Sequence, residues 1–148
     1  MSATPITISV GGSRWASSWE SRTLSWGDFI LTLKGRMKRN CGTETHAEYM
    51  ALPKAERDRR KDVGGFMGGT LRDGLRRRGC STGRSLITLD MDNCEPGSTA
   101  KWVQVIRGIG TAAVYSTRKH DPEHPRLRAI FPTDRMMQPE EYLSVINI

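Results

Sequence analysis

One segment, Ser85-Leu86-Ile87-Thr88-Leu89-Asp90-Met91-Asp92, constrains this chain more than any other. A short run rich in apolar and β-branched residues reads as a strand. Side chains along a strand alternate faces, so Asp90 and Asp92 project from the same one, with Cβ atoms about 7 Å apart. The residues after Asp92 are equally legible. Ser98 caps a predicted helix through Trp102, Val105, Ile106 and Ile109, closed by Gly108 and Gly110. Thr111 to Thr117 reads as a second strand, Arg118 to Pro125 as a polar connection, and Arg126 to Pro132 as a third strand hairpinned to the second. Pro139 opens a further helix, with Glu140 and Glu141 in its first turn and Tyr142, Val145 and Ile146 on its apolar side. The order β-α-β-β-α is that of a ferredoxin-like, RRM-type unit short of its final strand. The expected fold class is therefore α+β: an RRM-like β-α-β-β-α unit lacking its last strand, with an N-terminal α/β extension.

The first half is less regular. Ile6 to Val10 alternates apolar residues with Thr and Ser, as an opening strand would. Ser13 to Thr23 is polar; Trp15 and Trp19 within it read first as core anchors and second as surfaces for stacking on bases. Ser25-Trp26-Gly27-Asp28 predicts a capped helix through Phe29, Ile30 and Leu33, stopping near Gly35. A second helix is expected from Lys54 to Lys61. With 148 residues the chain is expected to be one domain, 1–148, divisible into a basic portion (1–84) and an RRM-like portion (85–148).

Charge concentrates in the first portion. The chain carries 23 Lys and Arg against 16 Asp and Glu, a formal +7. Residues 54–84 hold ten basic side chains and four acidic ones, so +6 of that excess lies there. A basic run is usually a solvated face. This one is broken by Gly64-Gly65 and Gly68-Gly69, which would let backbone approach a ligand closely, so it reads as a phosphate-tracking surface. Its candidate nucleic-acid contacts are Lys61, Arg72, Arg76, Arg77, Arg78 and Arg84. Cys41, Cys80 and Cys94 share no metal-type spacing and read as reduced thiols. Neither a secretory leader nor an apolar run of membrane-spanning length is evident, so the expectation is a cytoplasmic protein with no membrane partner.

Paired carboxylates at a strand end can converge on a hard divalent ion. Mg²⁺ typically takes one or two protein carboxylates together with substrate phosphates. The alternative is that both aspartates are merely solvated. On the third strand Arg126, Arg128 and Ile130 share a face, opposite Leu127, Ala129 and Phe131. Two arginines beside two aspartates point to an arginine–carboxylate or arginine–triphosphate arrangement, with edge-strand charge as the plainer reading. His120 and His124 do not form a zinc pattern, and His120 stands as a candidate phosphate contact. The chain contains no Walker lysine loop. A phosphatase-type reading of Asp90 and Asp92 fails because Asn93-Cys94, not Gly-Thr, comes next.

Together these motifs resemble the N-terminal primase–polymerase domain of phage and mobile-element primase–helicases of the virulence-associated protein E type, within the archaeo-eukaryotic primase superfamily. The similarity runs through Glu44-Thr45, Glu48-Tyr49, Lys61 to Gly69, Arg84 to Asp92, Tyr115-Ser116-Thr117, Pro125 to Arg128 and Pro139 to Tyr142. The resemblance implies nucleotidyl transfer from nucleoside triphosphates with two Mg²⁺ or Mn²⁺ ions held by Asp90 and Asp92. It also implies single-stranded DNA or a primer–template as the partner. It assigns nucleotide binding to Ser116, His120, Arg126 and Arg128, although the family's Ser-x-His element does not map cleanly onto Ser116 to His120. The family's third acidic ligand, on a last palm strand, is expected beyond Ile148. A helicase domain in the parent chain, or a partner chain supplying that strand, is therefore expected too. A nucleotide- or nucleic-acid-binding module without catalysis, and a metal-dependent nuclease, are the alternative functions.

Overall fold

The computed structural model describes residues 4–147, without the side chains of residues 38–41. In chain order the elements are β1 (Ile6–Gly11), β2 (Glu20–Leu24), α1 (Trp26–Cys41), α2 (His46–Ala51), α3 (Lys54–Lys61), β3 (Gly65–Met67), β4 (Gly69–Leu71), β5 (Ser81–Met91), α4 (Thr99–Ile109), β6 (Ala113–Ser116), β7 (Leu127–Met137) and α5 (Pro139–Ile146). They form two antiparallel sheets, ordered β2-β1-β3 and β4-β5-β7-β6. The fold is α+β, as expected. The β-α-β-β-α order holds, and β6 and β7 form the anticipated hairpin.

Several local expectations are corrected. The three strands expected in the second half gain a fourth from the first: β4 pairs with residues 81–84 of β5, and the Gly68 carbonyl accepts from the Ser85 and Leu86 N–H groups. β5 begins at Ser81, ahead of the Arg84–Ser85 division drawn from composition. α1 is capped by Ser25, whose hydroxyl accepts from the Asp28 N–H, but it runs through Gly35 to Cys41. A mid-helix glycine costs only about 1 kcal/mol, less than the packing of Phe29 and Leu33 returns. Residues 13–19 form no helical anchor: Trp19 is buried while Trp15 is 78% exposed. Ser98 precedes α4, yet its hydroxyl donates to the Glu95 carbonyl and does not cap the helix. On α5 only Tyr142 is buried; Val145 and Ile146 remain exposed.

Two apolar clusters sandwich the second sheet. On one face Leu86 and Ile130 meet Ile6, Ile8 and Val10 of β1 and Phe29 and Leu33 of α1. On the other, Ala129 and Phe131 pack on Ile106 of α4. Ile130 thus belongs to the core although it shares a face with Arg126 and Arg128, so that face is apolar at one end and polar at the other. Buried serines stitch the sheets together. Ser9 Oγ donates to the Gly69 carbonyl at 2.9 Å, and Ser85 Oγ accepts from the Thr7 N–H at 3.1 Å.

The second glycine pair serves the close packing of β4 on β5. A Cβ on Gly68 would stand 2.7 Å from Leu86 Cβ, and one on Gly69 would enter the Gly83 carbonyl. Gly68 and Gly69 are therefore required by strand-on-strand approach, and Gly64, Gly65 and Gly68 also line the large cleft. Cys80 and Cys94 are free thiols; the Cys41 side chain lies outside the described residues. No helix among the described residues is long and apolar enough to cross a membrane.

Candidate functional site

Where the face of the second sheet turns polar, it opens into a cleft of about 910 Å³. Its floor carries Thr88 and Asp90 from β5, Arg128 from β7 and Tyr115 from β6. The register explains this grouping: Asp90 stands opposite Arg128, which stands opposite Tyr115. One wall comes from the end of α1, the start of α2 and the segment from Lys61 to Gly68; another is the connection from Ser116 to His120. Seven Arg or Lys side chains line the cleft against three carboxylates, Glu44, Asp62 and Asp90.

Each of the two strand aspartates has an arginine. Arg128 Nε donates to Asp90 Oδ1 at 2.5 Å, and Arg126 lies 3.5 Å from Asp92. Burial works to lower the Arg128 pKa, but the Asp90 and Tyr115 oxygens outweigh it and the guanidinium is held above its usual range. Arg128 is a permanent cation in the cleft floor. Only Asp90 of the two aspartates lines the cleft; Asp92 lies just past the end of β5 and is exposed. Among the described residues, no group of three or more His, Cys, Asp or Glu could hold an ion. Two carboxylate oxygen donors nevertheless suit Mg²⁺ or Mn²⁺ when phosphate oxygens complete the shell.

Of the other expected site residues, Ser116, His120, Lys61, Arg76 and Arg84 line the cleft, whereas Arg72, Arg77, Arg78 and Arg126 do not. His120 Nδ1 accepts the Arg126 N–H at 3.1 Å, so in the neutral ring Nε2 carries the proton and acts as a donor. Arg84 lies 4.0 Å from the Tyr142 ring centroid and Arg76 lies 5.0 Å from that of Trp19. Neither is paired with a carboxylate among the described residues, so both guanidinium edges are available to an anion. Lys61, by contrast, is engaged with Asp58 at 2.7 Å.

Sequence reasoning missed the clamp that holds the wall from Ser116 to His120. Glu44 binds Arg118, and Arg60 at 3.2 Å, while Arg118 lies 4.3 Å from the Tyr49 ring centroid. Hydrogen bonding at its own backbone, opposed by desolvation and aided by Arg60 and Arg118, holds the Glu44 carboxyl below its usual range. Arg118 and Glu44 are separated by 74 positions, so no local pattern could have paired them. Tyr115 was recoverable, because period-two alternation along β6 places it on the face of Arg128.

A family model described as the VapE N-terminal domain matches residues 2–147. Comparison with curated proteins and with solved structures gave no match.

Proposed function

The chain belongs to the VapE N-terminal domain family, and from that premise we propose that its cleft binds a nucleoside triphosphate for primase–polymerase-type nucleotidyl transfer. The observation that carries this reading is the Asp90–Arg128 pair on the floor of a cleft rich in cations. Phosphate oxygens would take the Arg128, Arg84 and Arg76 guanidiniums, and His120 Nε2–H would donate to another. Asp90, with Asp92 beside it, would then face the accompanying Mg²⁺ or Mn²⁺. When bound, such ions activate the attacking hydroxyl and stabilise the departing pyrophosphate.

A second reading is favoured by a specific observation. Because arginines neutralise both aspartates, the cleft could serve as a metal-independent nucleotide-binding module. Thermal unfolding with Mg²⁺ alone, triphosphate alone and both together separates the two. Under the first reading the combination stabilises the wild type well beyond either component. At a hundredfold excess over Kd this amounts to about 2.7 kcal/mol, or about 5–10 °C for a chain of this size. Asp90→Asn abolishes the metal-dependent part, and template-dependent incorporation of labelled nucleotide fails with it. Equal stabilisation without metal, undiminished in Asp90→Asn, would establish the binding module instead.

A further inference from the structure

Trp15 is an exposed indole held on a fixed loop. Ser13 Oγ donates to Asp62 Oδ2 at 2.5 Å, and the Arg14 N–H donates to Asp62 Oδ1 at 2.9 Å. The Trp15 N–H in turn donates to Ser13 Oγ at 3.1 Å, and the Ala16 N–H to the Ser13 carbonyl. One carboxylate at the end of α3 thus organises the loop. The ring does not use this support to enter the core, since 78% of the residue is exposed. Arg14 covers one ring face, with its guanidinium carbon 4.7 Å from the centroid. The other face is left to solvent.

Three cations stand near the indole, each beside a carboxylate: Arg14 and Lys54 by Asp58, and Arg59 by Glu56. Beside Trp15 is a shallow hollow lined by Arg14, Lys54 and Arg59, together with Asp58 and Asp62. Arg14 and Asp62 line both this hollow and the large cleft, so the two are neighbours. Lys54 and Arg59 are largely exposed, and their pairs with Asp58 and Glu56 are surface pairs that phosphate can exchange into. We propose that Trp15 is a stacking platform for an unpaired base of a single-stranded nucleic acid, with Arg14, Lys54 and Arg59 contacting the adjoining phosphates. A flat π-face accepts any base, so the contact is indifferent to sequence. The ordered loop lowers the entropy lost when the base docks.

This inference stands apart from the triphosphate reading, because its test needs neither metal nor triphosphate. Fluorescence anisotropy would compare a labelled oligothymidylate with an abasic oligodeoxyribonucleotide of equal length. Trp15→Ala is expected to weaken oligothymidylate binding about fivefold or more, the effect of losing one base stack. Abasic binding and the slope of affinity against salt stay unchanged, because the phosphate contacts remain. Trp15→Phe keeps most of the wild-type affinity. The thermal midpoint of both variants matches wild type, as exposure of the side chain requires. Equal oligothymidylate affinity in Trp15→Ala and wild type overturns the proposal and leaves the indole to a protein partner. Equal loss on both oligonucleotides, or no binding by the wild type, overturns it as well.

Discussion

Gly69→Ala tests whether the seam between β4 and β5 supports the cleft. A Cβ at this position would enter the Gly83 carbonyl oxygen and stand 2.8 Å from Arg84 Cα, both backbone atoms that no rotamer change can move. The strands must separate. Overpacking of this kind costs about 1–3 kcal/mol. Separation also withdraws the Gly69 carbonyl from Ser9 Oγ, a buried bond at 2.9 Å. Leaving that hydroxyl unsatisfied adds about 1–3 kcal/mol. The expected loss is about 2–6 kcal/mol, a large share of the 5–15 kcal/mol typical of a domain. In urea, with a slope of about 2 kcal/mol per molar, the midpoint should fall by about 2 M with the slope unchanged. Gly35→Ala is the control, because nothing lies within 4 Å of its Cβ inside α1; helix propensity predicts a gain of about 1 kcal/mol. A Gly69→Ala protein within 1 kcal/mol of wild type would refute the claim that this glycine is set by close approach to β5.

Acid should weaken the ion pairs of α3. Arg59 first, then Arg60, holds Glu56 down to about 2 from an ordinary 4.5, and Lys54 with Lys61 holds Asp58 below its usual range. A depressed folded pKa gives stability that is present above the unfolded value and lost as pH falls through the folded one. The difference in Tm between wild type and Glu56→Gln should therefore vanish between about pH 4.5 and 2; a constant difference would exclude the pairs as its source. Arg76 lines the cleft and Arg77 and Arg78 do not, so Arg76→Ala should weaken triphosphate binding severalfold in a filter assay while Arg77→Ala with Arg78→Ala leaves it unchanged. Without ligand, Asp90→Asn should match or fall slightly below wild type in Tm; a clear rise would mean that repulsion between aspartates, not pairing with arginine, governs the site.

The second half of the chain was legible because its signals are local. Alternation put Asp90 and Arg128 on one face of their strands, and proline with two glutamates marked the start of α5. The first half hid its short strands. β3 and β4 are three residues each and glycine-rich, and they exist only because β1 and β5 pair with them. Nothing in Gly64 to Leu71 taken alone carries a strand period. The cleft was half legible for the same reason. Its floor comes from register between neighbouring strands, whereas its wall from Ser116 to His120 depends on Glu44 meeting Arg118, a contact made by the tertiary fold. The tryptophans show the limit of residue type: Trp15 and Trp19 lie four apart in the same polar stretch. Tertiary contacts separate the core residue from the exposed one: the Trp19 ring lies so close to Gly11 that a Cβ there would stand 2.5 Å from it, and the Trp19 N–H donates to the Gly74 carbonyl.

The arginines change what the two aspartates imply. Carboxylates on alternate positions of a strand repel unless a cation intervenes, and the sequence offers two: a metal ion, or the arginines of the third strand. Here Arg128 and Arg126 fill the role from the neighbouring strand. The ligand-free site therefore stores little repulsion, and deleting one aspartate leaves a guanidinium unpartnered instead of relieving strain. An incoming metal–triphosphate would offer both members of the Asp90–Arg128 pair a replacement: phosphate oxygens for the guanidinium and a divalent ion for the carboxylate. Such an exchange keeps charge balanced at each atom. Metal alone offers nothing to Arg128, and triphosphate alone offers nothing to Asp90. Half-exposed pairs of this kind are worth about 1 kcal/mol or less, so the exchange is not opposed by a strong internal contact. The pairing that makes these aspartates look unavailable to metal is the same feature that would make metal and triphosphate bind together.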